Sequence, residues 1–281
     1  MGPDRGIVVT GAGGQVGKAL AERLIHARFL SHLDLDVTDE DAVRQAVGAA
    51  SIVVHLAAMT NVDECERHPD RAFAVNSEGT RHAVQAAEDA GARVIFVSTD
   101  YVFDGERAGE YSEDDLPAPL GAYGRSKLEG ERFVAKEPGN LIVRTSWVFG
   151  EGRNFVRTIV AAARRGGPLK VVDDQTGRPT WAEDLADALV FLVEAGISGV
   201  LHVTGDGQPS TWADVAEFAV GAAGLAASVE RIDTATYRRS ADRVIAPRPR
   251  NSTLSLERAR RLGVPLRDWR TSVRRYVETM S

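Results

Sequence analysis

Short apolar, β-branched runs alternate along this chain with longer stretches whose apolar positions recur at helical spacing. Ile7 to Thr10 reads as a strand, and Gly14 to His26 follows as a helix. Arg28 to Ser31 is a weaker second strand, and Asp39 to Val47 a second helix. Ser51 to Leu56 reads as a buried strand ahead of a long helix over Pro69 to Ala90, which Gly91 ends. Ala92 to Ser98 is the next strand. After a loop holding Pro117 and Pro119, Ala122 to Ala135 is helical and Asn140 to Thr145 extended. Strands that are apolar throughout have both faces covered, and in alternation with helices they build a parallel sheet. The expected fold is α/β, doubly wound around that sheet.

Beyond about residue 146 the rhythm loosens. Helices over Phe155 to Arg165, Ala182 to Glu194 and Trp212 to Ala222 alternate with loops rich in Gly, Asp and Pro. A chain of 281 residues is long for one core. The expected division is a first domain over 1–145 and 181–204, and a smaller α/β lobe over 146–180 and 205–281.

A net charge of −6 gives no reason to expect nucleic acid or an anionic membrane as partner. Arg238, Arg239, Arg243, Arg248 and Arg250 form a local basic excess that suits an anionic ligand or a solvated face equally. Cys65 is the single cysteine, so no internal disulfide forms and a reducing compartment is expected. Nothing around it marks it as a nucleophile. No signal peptide precedes the first strand, and no apolar run approaches the roughly 18 residues of a membrane span. The expected location is the cytoplasm.

Directly after the first strand comes Gly11-Ala12-Gly13-Gly14-Gln15-Val16-Gly17. A glycine turn between a strand and a helix is a dinucleotide cradle. Gly11 permits the tight turn, Gly14 lets the backbone approach a pyrophosphate, and Gly17 lets helix and strand pack closely. Gln15 and Val16 open the helix, whose free N–H groups and positive dipole end suit phosphate. An NAD-preferring site carries an acid about 20 residues on, at the end of the second strand. That position is Ser31, followed by His32, with Asp34 and Asp36 close behind. Without a carboxylate at Ser31, the expected cofactor is NADPH, with NADH as the alternative.

Tyr123 and Lys127 stand four apart on a helix and share a face. A free phenol titrates near pH 10, too high for ready proton exchange at neutrality. An ammonium about 4 Å away, at an effective dielectric of about 20, favours the phenolate by up to about 4 kcal/mol. Thr99, just past the end of a central strand, stands where open α/β sheets hold their ligands. A hydroxyl, a phenol and an ammonium beside a dinucleotide cradle point to hydride chemistry on a carbonyl.

These residues resemble the extended short-chain dehydrogenases, which share the Rossmann fold, and within them the dTDP-4-dehydrorhamnose reductase family and its dihydrostreptose synthase relatives. The resemblance runs through nearly the whole chain. It is carried by Ser98-Thr99-Asp100-Tyr101-Val102-Phe103-Asp104-Gly105, by Ala122-Tyr123-Gly124-Arg125-Ser126-Lys127, by Arg144-Thr145-Ser146-Trp147-Val148-Phe149-Gly150 with Asn154-Phe155, by Asp174-Gln175-Thr176-Gly177-Arg178-Pro179-Thr180 and by Arg248-Pro249-Arg250-Asn251-Ser252. It implies hydride transfer from NAD(P)H to C4 of a dTDP-linked 4-keto-6-deoxy sugar. Tyr123 would protonate the oxygen, Thr99 would polarise it, and Lys127 would hold the nicotinamide ribose and lower the tyrosine's pKa. Ala57, Ala58 and Thr60 would line the cofactor cleft, with Asn76 supporting it. Asp100, Tyr101, Trp147, Asn154, Phe155, Thr180 and Arg248 would meet the sugar nucleotide.

Some members of that family bridge a dimer through Mg²⁺ using a glutamate just after the glycine turn. This chain has Gly17-Lys18-Ala19-Leu20 there, so no metal is expected, and a monomer or weak homodimer is. A sugar-nucleotide dehydratase or epimerase shares the fold and the Tyr–Lys pair. A dehydratase of that group follows its threonine with Asp and Glu, whereas here Asp100 is followed by Tyr101. A non-catalytic subunit resembling the regulatory subunit of methionine adenosyltransferase is the other alternative. It has no need of Thr99, Tyr123 and Lys127 together.

Overall fold

The computed structural model describes residues 6–241 and 244–280. Arg243, one of the C-terminal arginines, lies outside the described residues. The first half supplies strands β1 (Ile7–Thr10), β2 (Arg28–Leu30), β3 (Ile52–His55), β4 (Arg93–Thr99) and β5 (Leu141–Thr145). Its helices are α1 (Gln15–Ala21), α2 (Glu40–Val47), α3 (Val62–Arg67), α4 (Pro69–Phe73), α5 (Gly79–Asp89) and α6 (Ala122–Val134). The second half adds β6 (Val148–Phe149), β7 (Leu169–Val172), β8 (Thr176–Gly177), β9 (Thr180–Trp181), β10 (Gly199–His202), β11 (Ser210–Thr211) and β12 (Val229–Ile232). It also adds α7 (Phe155–Arg165), α8 (Ala182–Ala195), α9 (Trp212–Ala222), α10 (Thr234–Arg239), α11 (Glu257–Arg261) and α12 (Trp269–Glu278).

Six parallel strands form the main sheet in the order β10-β5-β4-β3-β1-β2. Side chains alternate between its two faces, and both faces are apolar. Ile7, Val9, Val54 and Ile95 pack under α1 and α8 with Leu20, Leu185 and Leu189. Val8, Val53, Val94 and Phe96 pack under α2 and α5 with Val43, Val47 and Ala83. The chain leaves β1 for β2 on one side and returns to β3 on the other. That reversal opens a crevice at the carboxyl ends of β1 and β3, the switch point where such sheets hold ligands. α8 and β10, late in sequence, belong to this sheet and its covering layer. The remaining late segments build a second core around Val156, Trp181, Val215, Trp269 and Tyr276.

Two helices differ from the pattern read off the sequence. α1 ends at Ala21, because the Arg23 and Leu24 amides both turn back to the Leu20 carbonyl. The helix expected from Pro69 to Ala90 carries a π-helical segment, Ala74–Glu78, between α4 and α5. Gly79 follows it at a close crossing, where a Cβ would lie 2.7 Å from Val37 Cγ2. Gly130 of α6 sits similarly against the Asn76 carbonyl, with 2.7 Å to a Cβ. The wider winding presents Asn76 to two other elements at once.

Candidate active site

A cleft of about 890 Å³ runs across the carboxyl ends of β1, β3 and β4. Its size is that of a site for a substantial organic ligand. At one end is the glycine turn. Gly11 has φ +72°, and a Cβ there would lie 2.6 Å from the Ala57 amide. A Cβ on Gly17 would lie 2.6 Å from Ala12 Cα. Only bare backbone lets β1, α1 and the loop after β3 meet so closely. Gly13 and Gly14 line the cleft and have no such neighbour, the nearest contact to either Cβ being 3.3 Å. Their backbone is free for a ligand to approach. Gln15 and Val16 continue this wall, and Ala57, Ala58 and Thr60 face it. The cradle fits a dinucleotide.

At the end of β4, Thr99 accepts from the Tyr101 amide at 3.1 Å and donates to Asp100 Oδ1 at 2.9 Å. Tyr123 lines the same cleft, and the Thr99 hydroxyl works to lower its phenol. Tyr123 comes from α6, whose approach depends on Gly124: a Cβ there would lie 2.1 Å from the Tyr101 carbonyl oxygen. Burial pushes the Tyr123 phenol above its ordinary value, and the Thr99 contact offsets this only in part. The phenol therefore stands above the value of a free tyrosine, where the Tyr–Lys spacing leads to expecting a lowered one. Lys127 Nζ instead donates to the Val97 carbonyl at 2.8 Å and lies 3.9 Å from the centre of the Phe96 ring. Burial lowers Lys127 to about 7, against the raising effect of Glu131. Both side chains line the cleft.

Asp100 and Tyr101 line it too. Burial pushes Asp100 up to about 7, although hydroxyls of Ser252 and Thr99 work to lower it. Tyr101 meets the Tyr123 ring edge-on at 5.8 Å. Arg248 also lines the cleft, but its guanidinium is held by Asp63 at 2.9 Å. At the far wall Trp147 stacks on Trp212, with centroids 3.6 Å apart and planes within 10°. Trp147 has φ +47°, the one positive value outside glycine among the described residues. Such strain marks a side chain whose aim matters.

Ser31, Asn154, Phe155 and Thr180, assigned to ligands from the sequence, do not line the cleft, and neither does Asn76, expected to support it. Ser31 gives its amide and hydroxyl to Asp34, at 2.9 and 2.6 Å, and His32 lines the wall instead. Asn76 is buried: it accepts from the Met59 amide at 2.7 Å and donates to Ser126 Oγ at 3.0 Å. It therefore ties the loop after β3 to α6. Asn154 caps α7 by accepting from the Arg157 amide, and donates to the Tyr276 hydroxyl at 2.6 Å. Phe155 packs in the second core beside Trp212. Thr180 accepts from the Gly205 amide at 3.2 Å. Each has its polar group or ring committed to holding the fold. Conversely, His32, Asp36, Arg71, Arg153 and Trp212 line the cleft without having been singled out as site residues. Trp212 was legible only as the start of a helix, and Arg153 only as the neighbour of Asn154.

A sequence profile described as the RmlD substrate binding domain matches residues 5–281. A dTDP-4-dehydrorhamnose reductase of Mycolicibacterium smegmatis is 40% identical over 277 residues, covering 95% of this chain and 83% of that protein. A probable dTDP-4,6-dihydroxy-2-methyloxan-3-one 4-ketoreductase of Streptomyces antibioticus is 39% identical over 278 residues, covering 95% of this chain and 92% of that protein. Among solved structures, the dTDP-4-dehydrorhamnose reductase of Bacillus anthracis in complex with NADP superposes with a TM-score of 0.91 at 32% identity, covering 97% of this chain and 98% of that one.

Proposed function

The chain belongs to the RmlD substrate binding domain family, and on that premise we propose that it reduces the C4 keto group of a dTDP-linked 4-keto-6-deoxy sugar. The first candidate is dTDP-4-dehydro-L-rhamnose, giving dTDP-L-rhamnose. A related sugar is the alternative, since a relative of nearly equal identity is named for a different 4-keto substrate. The observation that carries the reading is that Thr99, Tyr123 and Lys127 line the same cleft as the glycine turn.

NADPH, when bound, supplies the hydride. The backbone of Gly13, Gly14, Gln15 and Val16 holds its diphosphate, and Lys127 its nicotinamide ribose. Thr99 donates to the sugar's C4 oxygen only by turning its hydroxyl away from Asp100 Oδ1, and Tyr123 gives that oxygen its proton. Tyr123 is protonated at neutral pH, the form that donates, while burial makes it a weaker acid than a free phenol. Trp147, with its ring fixed against Trp212, offers an apolar face to the sugar nucleotide. Arg248 reaches its diphosphate only by sharing or leaving Asp63. NADPH is preferred over NADH because Ser31 and His32 stand where an NAD site carries its acid, with Asp36 the one acid near them that lines the cleft. Asp34 accepts from Ser31 and Asp36 from Thr38 at 2.7 Å, bonds that hold both as carboxylates.

The protein acts in the cytoplasm, as a monomer or weak homodimer and without a metal. No helix among the described residues is long and apolar enough to cross a membrane. Lys18 stands in the segment where a metal-bridged dimer needs an acid, and it pairs with Glu151 at 2.7 Å. The test is oxidation of NADPH with dTDP-4-dehydro-L-rhamnose made in situ, run beside NADH. Turnover to dTDP-L-rhamnose, faster with NADPH in kcat/KM, is expected. Release of a 4-keto sugar from dTDP-glucose would point to a dehydratase instead. A stable complex with a synthetase and no turnover would point to a regulatory subunit.

A further inference from the structure

We propose that Phe96 is a positioning residue, its ring face being the seat that keeps the Lys127 ammonium charged at the cleft wall. The inference rests on the reading of Lys127 given above and deepens it. Lys127 is buried, and an ammonium out of water needs compensation for its lost hydration. Among the described residues no carboxylate lies within ion-pairing distance of it. Glu131, one turn along α6, is committed to Arg144 through two hydrogen bonds of 2.9 and 2.7 Å. Of the three donors an ammonium carries, one is met by the Val97 carbonyl at 2.8 Å. The remaining contact is the Phe96 ring, 3.9 Å from Nζ to centroid. The negative face of an aromatic ring attracts a cation, and most strongly where water is excluded.

The ring is itself held in place. Phe96 is fully buried and stacks with His55, centroids 5.8 Å apart and planes within 21°. Gly130 leaves room for its outer edge, where a Cβ would lie 3.2 Å from Phe96 Cζ. His55 Nδ1 and the Thr10 hydroxyl share a hydrogen bond of 2.8 Å. Burial, helped by the charge of Lys127, lowers His55 to about 3, so a neutral imidazole backs the ring at working pH. The titratable and charged groups that face Lys127 are Glu131 and Tyr123 on its own helix and His55 on β3, with Arg144 behind Glu131 and Asp100 lining the same cleft. Of these, Asp100 titrates in the same range as Lys127.

The chain has four lysines, Lys18, Lys127, Lys136 and Lys170, so ε-¹³C-lysine labelling of the whole protein gives a spectrum simple enough to titrate. K127R assigns the resonance, and D100N removes the neighbour that titrates nearby. Phe96 is then replaced by 3,5-difluorophenylalanine, which keeps the shape and weakens the ring face, and separately by leucine. The expected midpoint of Lys127 is lower by about one pH unit in F96L and by part of that in the fluorinated protein. The alkaline limb of kcat/KM for reduction should move with it. Should F96L fail to fold, the fluorinated ring still decides. Identical Lys127 midpoints with the natural and fluorinated rings would overturn the proposal. Wild-type protein without reductase turnover would count against the functional reading, while the lysine titration would still decide the role of Phe96.

Discussion

Tyr123 and Asn154 show how differently two motif residues are used. Tyr123 lines the cleft beside Thr99, whereas Asn154 spends its side chain on the Arg157 amide and the Tyr276 hydroxyl. Tyr123→Phe should lower kcat by about 100-fold or more with NADPH binding intact, as for loss of a proton donor. Near-normal turnover would move the donor elsewhere. Asn154→Ala should leave the sugar KM unchanged and cost about 1 kcal/mol of stability through the lost cap. Thermal unfolding would register this as a melting point about 2–4 °C lower. A raised KM with an unchanged melting point would return Asn154 to the substrate. Sequence motifs named both residues because both stand at fixed places in the family pattern. They could not tell a ligand contact from a helix cap, since asparagine does either job with the same atoms.

The strands and most helices were legible because burial on both sheet faces leaves unbroken apolar runs. Phe155–Arg165 and Trp212–Ala222 have the bounds the pattern suggests, each opening after a side-chain cap. The π-helical turn was not legible. One extra residue in a helical winding leaves no mark in composition, and its purpose, carrying Asn76 to Met59 and Ser126, lies in tertiary contacts. The packing of α6 on the segment after β4 was equally invisible, though Gly124 allows it. By intrinsic propensity Gly124→Ala should favour the helix, by roughly 0.5–1 kcal/mol. The clash with the Tyr101 carbonyl should win, costing about 1–3 kcal/mol as overpacking does. Denaturant unfolding and turnover should both fall. A more stable and fully active variant would mean that α6 can sit further out.

Across the whole molecule, two buried histidines link stability to pH. Burial, the larger cause in both, lowers His55 and His202 to about 3. A histidine depressed in the folded state stabilises it above the unfolded value of about 6.5, and that stability is lost as pH falls toward the folded value. Urea midpoints should therefore decline between pH 6.5 and 3, and His202→Leu should flatten part of that slope. An unchanged slope would show that other groups dominate acid unfolding. The change of rhythm near residue 146 falls where the chain begins to supply a second core around Val156, Trp181 and Trp269. Which late segments rejoin the main sheet was fixed by pairing that sequence shows only weakly, such as β10 beside β5. One cleft is lined by the glycine turn, by Thr99, Tyr123 and Lys127 and by the Trp147–Trp212 stack. The most direct test of its purpose is isotopic. NADPH dideuterated at nicotinamide C4 is incubated with dTDP-4-dehydro-L-rhamnose, and the product is read by NMR. Deuterium at C4 of dTDP-L-rhamnose is the expected result. A product without deuterium at C4, or NADPH left unoxidised with this and related 4-keto sugars, would contradict the account.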